Sequence, residues 1–531
     1  MSEEVGSKLL NNHNNNVLER GHKLDEHLLS SEGERIQIVS SSLKSGKTLE
    51  DKRSRAVFRQ IFMVFLANLG CMSNGLGLGV PAVTLEALTN QELPVYLTKD
   101  QGSWYASFAS IACPIGGILV SCFLDKVGRR NSLYITNVMS IIGWGLMAVA
   151  VESDQQTLFI QLLVSRFIVG VMTGIAVVPI GVYAAEICYP SLRGSLTLGS
   201  SISIATGISV MYILGYFIRT DWKLIAIIVV CYSSFCLMLT FFLPASPNWL
   251  LSKHRVEEAR RSLRYFRGIN KDDNTIYPEI EEEFNKLEKL CRRGEGVKKP
   301  PFLSILKVPE VYKPLLFMFG FFFLQQFSGI FVVITYAVQI SLEAGVTIDP
   351  VLCAIFVGIA RVITTLVMGP MLDKFGRRPL TLFSGVGMTI CMFLLACNSW
   401  FNWNLSQLPV TCIILYIITS TLGFMTLPFS MNSEIFPQKA RGPASGLSVC
   451  FGFLMGFTII KLYPSMVDNL GKDNLFGFYG AVSLVALVYV YFLMPETKGK
   501  TLQEIEEYFK YGKHHKQDVE MKDIFIAKDT K

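Results

Sequence analysis

Two neighbouring amides, Gln325 and Gln326, interrupt a largely apolar run from Leu315 to Ile334. A primary amide carries two N–H donors and a carbonyl acceptor, and burying it without partners costs free energy. Such a pair must meet either backbone groups of a neighbouring helix or a ligand rich in hydroxyls. Arg361 is the one charge between Pro350 and Leu372. A guanidinium that far inside an apolar run faces a cavity or a partner, and is a functional candidate by default. It could hold an anionic or phosphorylated ligand, donate several bonds to a neutral one, or form a structural ion pair; its own run offers no carboxylate. Lys461 lies nearer the end of its run, where snorkelling to the surface is expected. A third set combines both signs of charge: Asp125, Arg129 and Arg130 with Glu186 and Arg193, and Asp373, Arg377 and Arg378 with Glu434 and Arg441. Opposite charges at adjoining helix ends suit an ion-pair latch that breaks when the ends part; the plainer reading is charge that sets topology.

The elements carrying these groups follow from composition. Apolar residues are 51% of 531 positions and charged residues 17%, below the roughly one quarter usual in soluble chains. Apolar stretches of about 20 residues, lacking the alternation of barrel strands, are helices that cross a bilayer. Twelve are expected, near 57–85, 103–124, 132–151, 158–185, 195–217, 223–244, 313–342, 350–372, 380–397, 408–432, 443–467 and 475–494. The fold class is therefore an all-α polytopic membrane protein, with the lipid bilayer as its solvent.

The net charge of +7 does not call for nucleic acid. Lys126, Arg129, Arg130, Arg193, Lys374, Arg377, Arg378, Lys439 and Arg441 flank helix ends on one side, the cytoplasmic side by the positive-inside rule. Both termini then face the cytoplasm. The opposite loops include Asn404-Leu405-Ser406, a glycosylation sequon at Asn404. No cleavable signal is visible, and the tract Asn11 to Asn16 reads as disorder. The twelve cysteines show no metal-ligand spacing, although Cys397 and Cys412 lie near adjacent helix ends. No phosphate loop or nucleophile–base set is present, so neither an enzyme nor a cofactor or metal is expected.

An internal repeat organises the whole. Asp125-Lys126-Val127-Gly128-Arg129-Arg130 recurs 248 positions later as Asp373-Lys374-Phe375-Gly376-Arg377-Arg378. Glu186-Ile187 and Arg193-Gly194 recur at the same offset as Glu434-Ile435 and Arg441-Gly442. One offset shared by separate motifs marks a duplication into two parallel six-helix halves. The expected units are a tail over 1–55, halves over 56–245 and 313–495, a linker with short amphipathic helices over 246–312, and a tail over 496–531. Such halves place a substrate site at their interface near mid-membrane, and rocking exposes it to each side in turn. A monomer is expected to suffice.

The two DK-x-GRR turns, Arg166-x-x-x-Gly170-x-x-x-Gly174 and Tyr183-Ala184-Ala185-Glu186-Ile187 resemble sugar porters of the major facilitator superfamily. So do Pro244-Ala245-Ser246-Pro247, Gln325-Gln326-Phe327-Ser328-Gly329-Ile330 and Pro495-Glu496-Thr497-Lys498-Gly499. The resemblance covers residues 55–510. Within that family, Gln101-Gly102-Ser103-Trp104, Lys313-Pro314-Leu315 and Val338-Gln339-Ile340 are similar to insect facilitated trehalose transporters. It implies the major facilitator fold and a sugar cargo, a hexose or trehalose, bound by Gln325 and Gln326 with Tyr336 nearby. It implies plasma-membrane residence as well. Several positions depart from the pattern: Phe331 for an asparagine, Phe429 for a tryptophan, Gly452 and Phe453 for asparagine and tryptophan, Ser201 for a glutamine, and Arg361 for an asparagine. Val57 to Leu85 holds no Asp, Glu or His where proton-coupled members carry an aspartate, which favours uncoupled transport. Gly75, Gly77, Gly79 and Pro81 are expected to let that helix bend. Two alternatives stay open: a carrier of organic anions or sugar conjugates, and a non-transporting sugar sensor.

Overall fold

The computed structural model describes residues 53–294 and 308–511, except 271, 272, 274, 276, 402, 404, 406, 438 and 439. The expectations for the first 52 residues and for Asn404 lie outside the described residues, as do those for the side chains of Arg193 and Asp373. The described residues contain helices and no strand. Ten helices are individually long and apolar enough to cross a membrane. Spans 1 to 6 are Arg53–Leu88, Lys99–Val127, Arg129–Ala148, Gln155–Ile187, Gly199–Phe217 and Trp222–Thr240. Spans 8, 9, 11 and 12 are Pro350–Phe375, Arg377–Trp400, Arg441–Leu470 and Lys472–Leu493. Span 7 is divided into Pro309–Phe327, Ile330–Thr335 and Ala337–Glu343, and span 10 into Leu408–Leu422 and Leu427–Ile435. Span 3, which is less apolar, and the divided span 7 bring these ten to twelve. Several helices outrun their apolar runs because their caps lie in polar flanks: Thr98 and Gln101 form a reciprocal capping box at the start of span 2.

The duplication is visible in the packing. Span 4 lies against spans 2 and 3, and span 3 against span 6; span 10 lies against spans 8 and 9, and span 9 against span 12. The halves meet along two seams that exchange under the same symmetry, span 2 on span 11 and span 8 on span 5. Apolar side chains such as Ile118, Phe217, Ile363 and Val485 remain exposed on the outer surface, the arrangement lipid solvates.

The Arg166-to-Gly174 motif is a packing seam. A Cβ at Gly170 would collide with the Ala109 carbonyl, and one at Gly174 with the Cys113 carbonyl, so spans 2 and 4 touch backbone to backbone. The glycines of span 1 lie in a continuous helix. Gly75 is required by the close approach of the Ile204 carbonyl on span 5.

Between the halves lie the helices Pro247–Ser252, Val256–Phe266 and Pro278–Gly294. Ala259, Leu263 and Phe284 pack together there with Leu250 and Leu251, while Phe266 turns to Tyr183 of span 4. The C-terminal tail also contains a helix, Leu502–Tyr511, whose Ile505 and Phe509 are buried; Lys313 at the base of span 7 donates to the Phe509 carbonyl at 3.0 Å. Cys397 and Cys412 are free thiols.

Gly174→Val is expected to lower stability by about 1–3 kcal/mol or more through overpacking. Gly117→Val, with no atom within 4 Å of an added Cβ, is the matched control on the same seam. Thermal unfolding of the detergent-purified proteins checks both, and equal melting temperatures would refute the backbone-contact assignment.

Candidate functional site

The breaks in spans 7 and 10 release backbone groups inside the membrane, where water is not at hand to satisfy them. Gln325 is fully buried, and its Nε2 donates to the carbonyls of Phe424 and Met425 at 2.7 and 3.0 Å, just past the end of the first piece of span 10. Tyr416 donates to the Ser328 carbonyl at the span 7 break (2.7 Å), and Tyr336 to the Ile460 carbonyl of span 11 (3.2 Å). Gln325 is thus a stitch between two broken helices; its Oε1 alone is without a partner. The sequence could not assign this role, since the carbonyls it serves exist as acceptors only once span 10 breaks.

Gln326 points elsewhere. It lines a cavity at the seam between the halves, walled by Gly77 and Leu78 of span 1, Ala106, Ala109, Ser110 and Cys113 of span 2, and Arg166, Val169 and Thr173 of span 4. The second half supplies Phe331, Thr335, Phe453, Gly456 and Ile460. The volume is about 30 Å³, room for roughly two waters. Gln326 is 3% exposed and its Oε1, beside Gly456, has no hydrogen-bond partner among the described residues. Phe331 and Phe453 hold the positions where polar groups were expected, and they make the wall apolar. Phe429 is not in that wall; it stacks between Phe322 (5.2 Å) and Phe453 (6.4 Å) and is partly exposed. Ser201 is half-buried on span 5, and Tyr336 lies behind the cavity with its hydroxyl spent on span 11.

Arg166 was read only as part of a motif, yet it forms cavity wall. Its guanidinium donates to the carbonyls of Gly77 (2.7 Å), Tyr105 (3.1 Å) and Ala106 (3.4 Å) and lies 5.4 Å from the Tyr105 ring centre. Its signal was the same as that of Arg361, one cation inside an apolar run. Arg361 is 8% exposed, and its guanidinium makes no hydrogen bond or ion pair with any described residue.

In the described state the charged clusters form brackets, one inside each half, and no latch between halves is formed on this face among the described residues. Arg129 contacts Glu186 at 2.9 Å and Asp125 at 3.2 Å, and Ser246 donates to the same Glu186. Arg377 contacts Glu434 at 2.8 Å, and Thr497 donates to Glu434 at 2.6 Å. Arg130 and Arg378 bond the carbonyls of Phe241 (3.0 Å) and Tyr491 (2.5 Å), at the ends of spans 6 and 12. Arg441 reaches the Phe436 carbonyl of its own half. The reason is connectivity: each turn and its glutamate belong to one six-helix half, and the hydroxyl, Ser246 or Thr497, follows within two residues of that half's end. Gly128 and Gly376, at φ +94° and +91°, make turns that only glycine adopts without strain. Glu496 caps span 9 by accepting the N–H groups of Arg377 and Arg378 at 3.1 and 3.0 Å. Burial pushes its carboxyl up, but the backbone N–H groups of Lys498, Arg377, Arg378 and Thr497 outweigh this and hold it below 4.5.

Ion pairs joining the halves lie on the opposite face. Lys99 meets Asp468 at 3.3 Å, Lys461 meets Asp100 at 2.5 Å, and Arg219 meets Asp349. Lys461 also donates to Ser103 (2.7 Å) and lies 4.8 Å from the Trp104 ring centre, while Trp104 packs on Phe457. Its ammonium thus snorkels towards the first turn of span 2 and ends on the exposed Asp100 across the seam, a partner that a scan of its own span could not reveal.

Comparison with known proteins places these features in a group. The family described as "Sugar (and other) transporter" matches residues 61–509. The facilitated trehalose transporter Tret1 of Drosophila mojavensis is 32% identical over 85% of this chain and 51% of its own length. That of Apis mellifera ligustica is 32% identical over 78% of this chain and 80% of its own. The chain spans about half the length of the Drosophila relatives it matches. The xylose transporter XylE from E. coli, in a partially occluded inward-open conformation, aligns with a TM-score of 0.70 and 25% identity, over 83% of this chain and all of that one.

Lys461→Met is expected to loosen the seam of spans 2 and 11. Alkylation of the cavity residue Cys113 by a polar thiol reagent supplied from that face should rise several-fold, and an unchanged rate would refute a gating role. Glu496 stabilises the fold fully at pH values above 4.5, and this contribution is lost as pH falls through its lower folded-state value. Glu496→Gln should therefore melt lower than the parent at pH 7, the gap closing in acid; a pH-independent gap would sink the capping role.

Proposed function

The chain belongs to the sugar transporter family, and on that premise we propose that it carries a sugar across the membrane by alternating access, as a facilitator without proton coupling. The observation that carries this reading is the cavity on the seam of the two halves with the buried, unpaired Gln326 carbonyl in its wall. A buried acceptor that no protein group satisfies is a demand for a donor, and a sugar hydroxyl supplies one. The brackets within each half, with the ion pairs between halves among the described residues on one face, suit halves that rock as units. In this reading the basic face is cytoplasmic, both termini lie there, and the described state is closed on the outside. A volume fit for two waters must widen for a sugar ring, so Phe331 and Phe453 swing aside on binding.

Uncoupled transport is supported by the wall itself, whose ionisable residues are Arg166 and Cys113, with no carboxylate or imidazole to carry a proton. Trehalose, the cargo in the names of the insect relatives, or a hexose is the proposed substrate. The chain acts as a monomer in the plasma membrane, with Asn404 open to glycosylation.

Uptake by purified full-length chain in liposomes tests this with labelled trehalose and glucose. Gln326→Ala is expected to lower kcat/KM roughly 5- to 100-fold, the cost of about 1–3 kcal/mol for a lost buried hydrogen bond. Gln325→Ala should instead chiefly lower the melting temperature, because it undoes the stitch to span 10. Sugar accumulation driven by a pH gradient would overturn the uncoupled mode, and unaltered uptake by Gln326→Ala would overturn the site.

A further inference from the structure

The two mid-membrane arginines are treated in opposite ways. Arg166 is compensated by three carbonyls and an aromatic face. Arg361, on span 8, has none of this. Among the described side chains, the elements packed against span 8 offer no free acid: Glu434 is held by Arg377 and Thr497, Glu343 by Tyr463 and Gln339, and Asp349 by Arg219. Span 5, directly across the seam, contains no charged residue at all. A buried permanent cation without a counter-charge is costly, and its planar fork of donors matches a carboxylate or phosphate.

Its placement ties it to the transport path. The seam of spans 5 and 8 has Leu198 against Gly369 at one end and Ser209 against Gly358 nearer the other, and Arg361 falls between these contacts. The 248-residue offset of the duplication makes Arg361 the counterpart of Cys113, which lines the cavity in the first half. Tyr212, across the seam from span 8, donates to the Ile334 carbonyl at 2.7 Å, next to the cavity residue Thr335. We propose that Arg361 binds an anionic substituent of the cargo, a carboxylate or phosphate carried on a sugar. This rests on the sugar-carrier reading and narrows its substrate class. The counter-ion comes with the cargo because the seam opens in each cycle and neither half supplies one. A neutral sugar would offer hydrogen bonds to the guanidinium but leave its charge uncompensated.

The test uses the purified full chain in liposomes, with labelled glucuronate, glucose 6-phosphate and glucose as separate probes. The parent should take up one of the two anions with kcat/KM roughly tenfold above glucose, the scale of a charge-assisted bidentate pair. An inside-positive potential of about 100 mV should drive monoanion accumulation by roughly 50-fold. Arg361→Asn should lose anion uptake and its voltage dependence while glucose uptake persists or rises; Arg361→Lys should retain part of both. If Arg361→Asn fails to fold, voltage dependence and competition by excess anion in the parent decide. Glucose flux in the parent that ignores voltage and both anions overturns the role of Arg361 and leaves the sugar carrier standing. Absence of flux for glucose, trehalose and both anions overturns the carrier reading together with it.

Discussion

Lipid offers no hydrogen bonds, and that constraint decides where this protein can be irregular. Spans 7 and 10 are the two that break, and four carbonyls near the breaks are met by side-chain donors: Gln325 on Phe424 and Met425, Tyr416 on Ser328, Tyr212 on Ile334. These bonds do more than remove a penalty. They join span 7 to spans 10 and 5, so the broken helix that forms one cavity wall is positioned by the same contacts that make its breaks tolerable. Irregular backbone and binding wall are one feature seen from two sides.

The charges are divided by strength. Within each half, arginine, glutamate and hydroxyl form a bracket in which the Arg129 and Glu186 side chains are only 12% and 11% exposed. Such pairs are desolvated and expensive to separate. Between halves the contacts are weaker, with Lys99 and Asp468 at 79% and 57% exposed, where a pair contributes about 0–1 kcal/mol. The proposed rocking of the halves needs this ordering: stiff joints inside each unit and easily broken joints where units part. The glycine seams serve the first need, because backbone contact between spans 2 and 4 leaves little to deform.

Much of this was legible in the sequence, and the limits have physical causes. Apolar run length found the spans because a bilayer has one thickness, and the common offset found the halves because duplication preserves spacing. The breaks at Gly329 and Gly423 were not legible, since one glycine in an apolar run is compatible with an unbroken helix. The division of labour between two adjacent glutamines was hidden for the same reason, as it depends on which helix face meets the broken span. The Lys461–Asp100 pair links residues 361 positions apart, beyond any local pattern. The brackets were legible as charge of both signs, but their pairing within each half was not, because sequence gives adjacency of motifs and not which side chains meet in a given state.

The altered pocket residues then acquire a common sense. Phe331 and Phe453 bring apolar wall where amide and indole donors were expected, which removes hydrogen bonds a neutral sugar would use. Arg361 adds, on the other seam, a group with five donors and a full charge. Loss of neutral donors and gain of a cation in one pathway change what it can hold in the same direction. Specificity is a difference between affinities, and an uncompensated buried cation raises the affinity for an anion while an apolar wall lowers that for its neutral parent. Had Arg361 been a structural replacement, a carboxylate or a ring of carbonyls would be expected beside it, as Arg166 has. The absence of a carboxylate or carbonyl partner for its guanidinium among the described residues is what supports the proposed role in binding cargo.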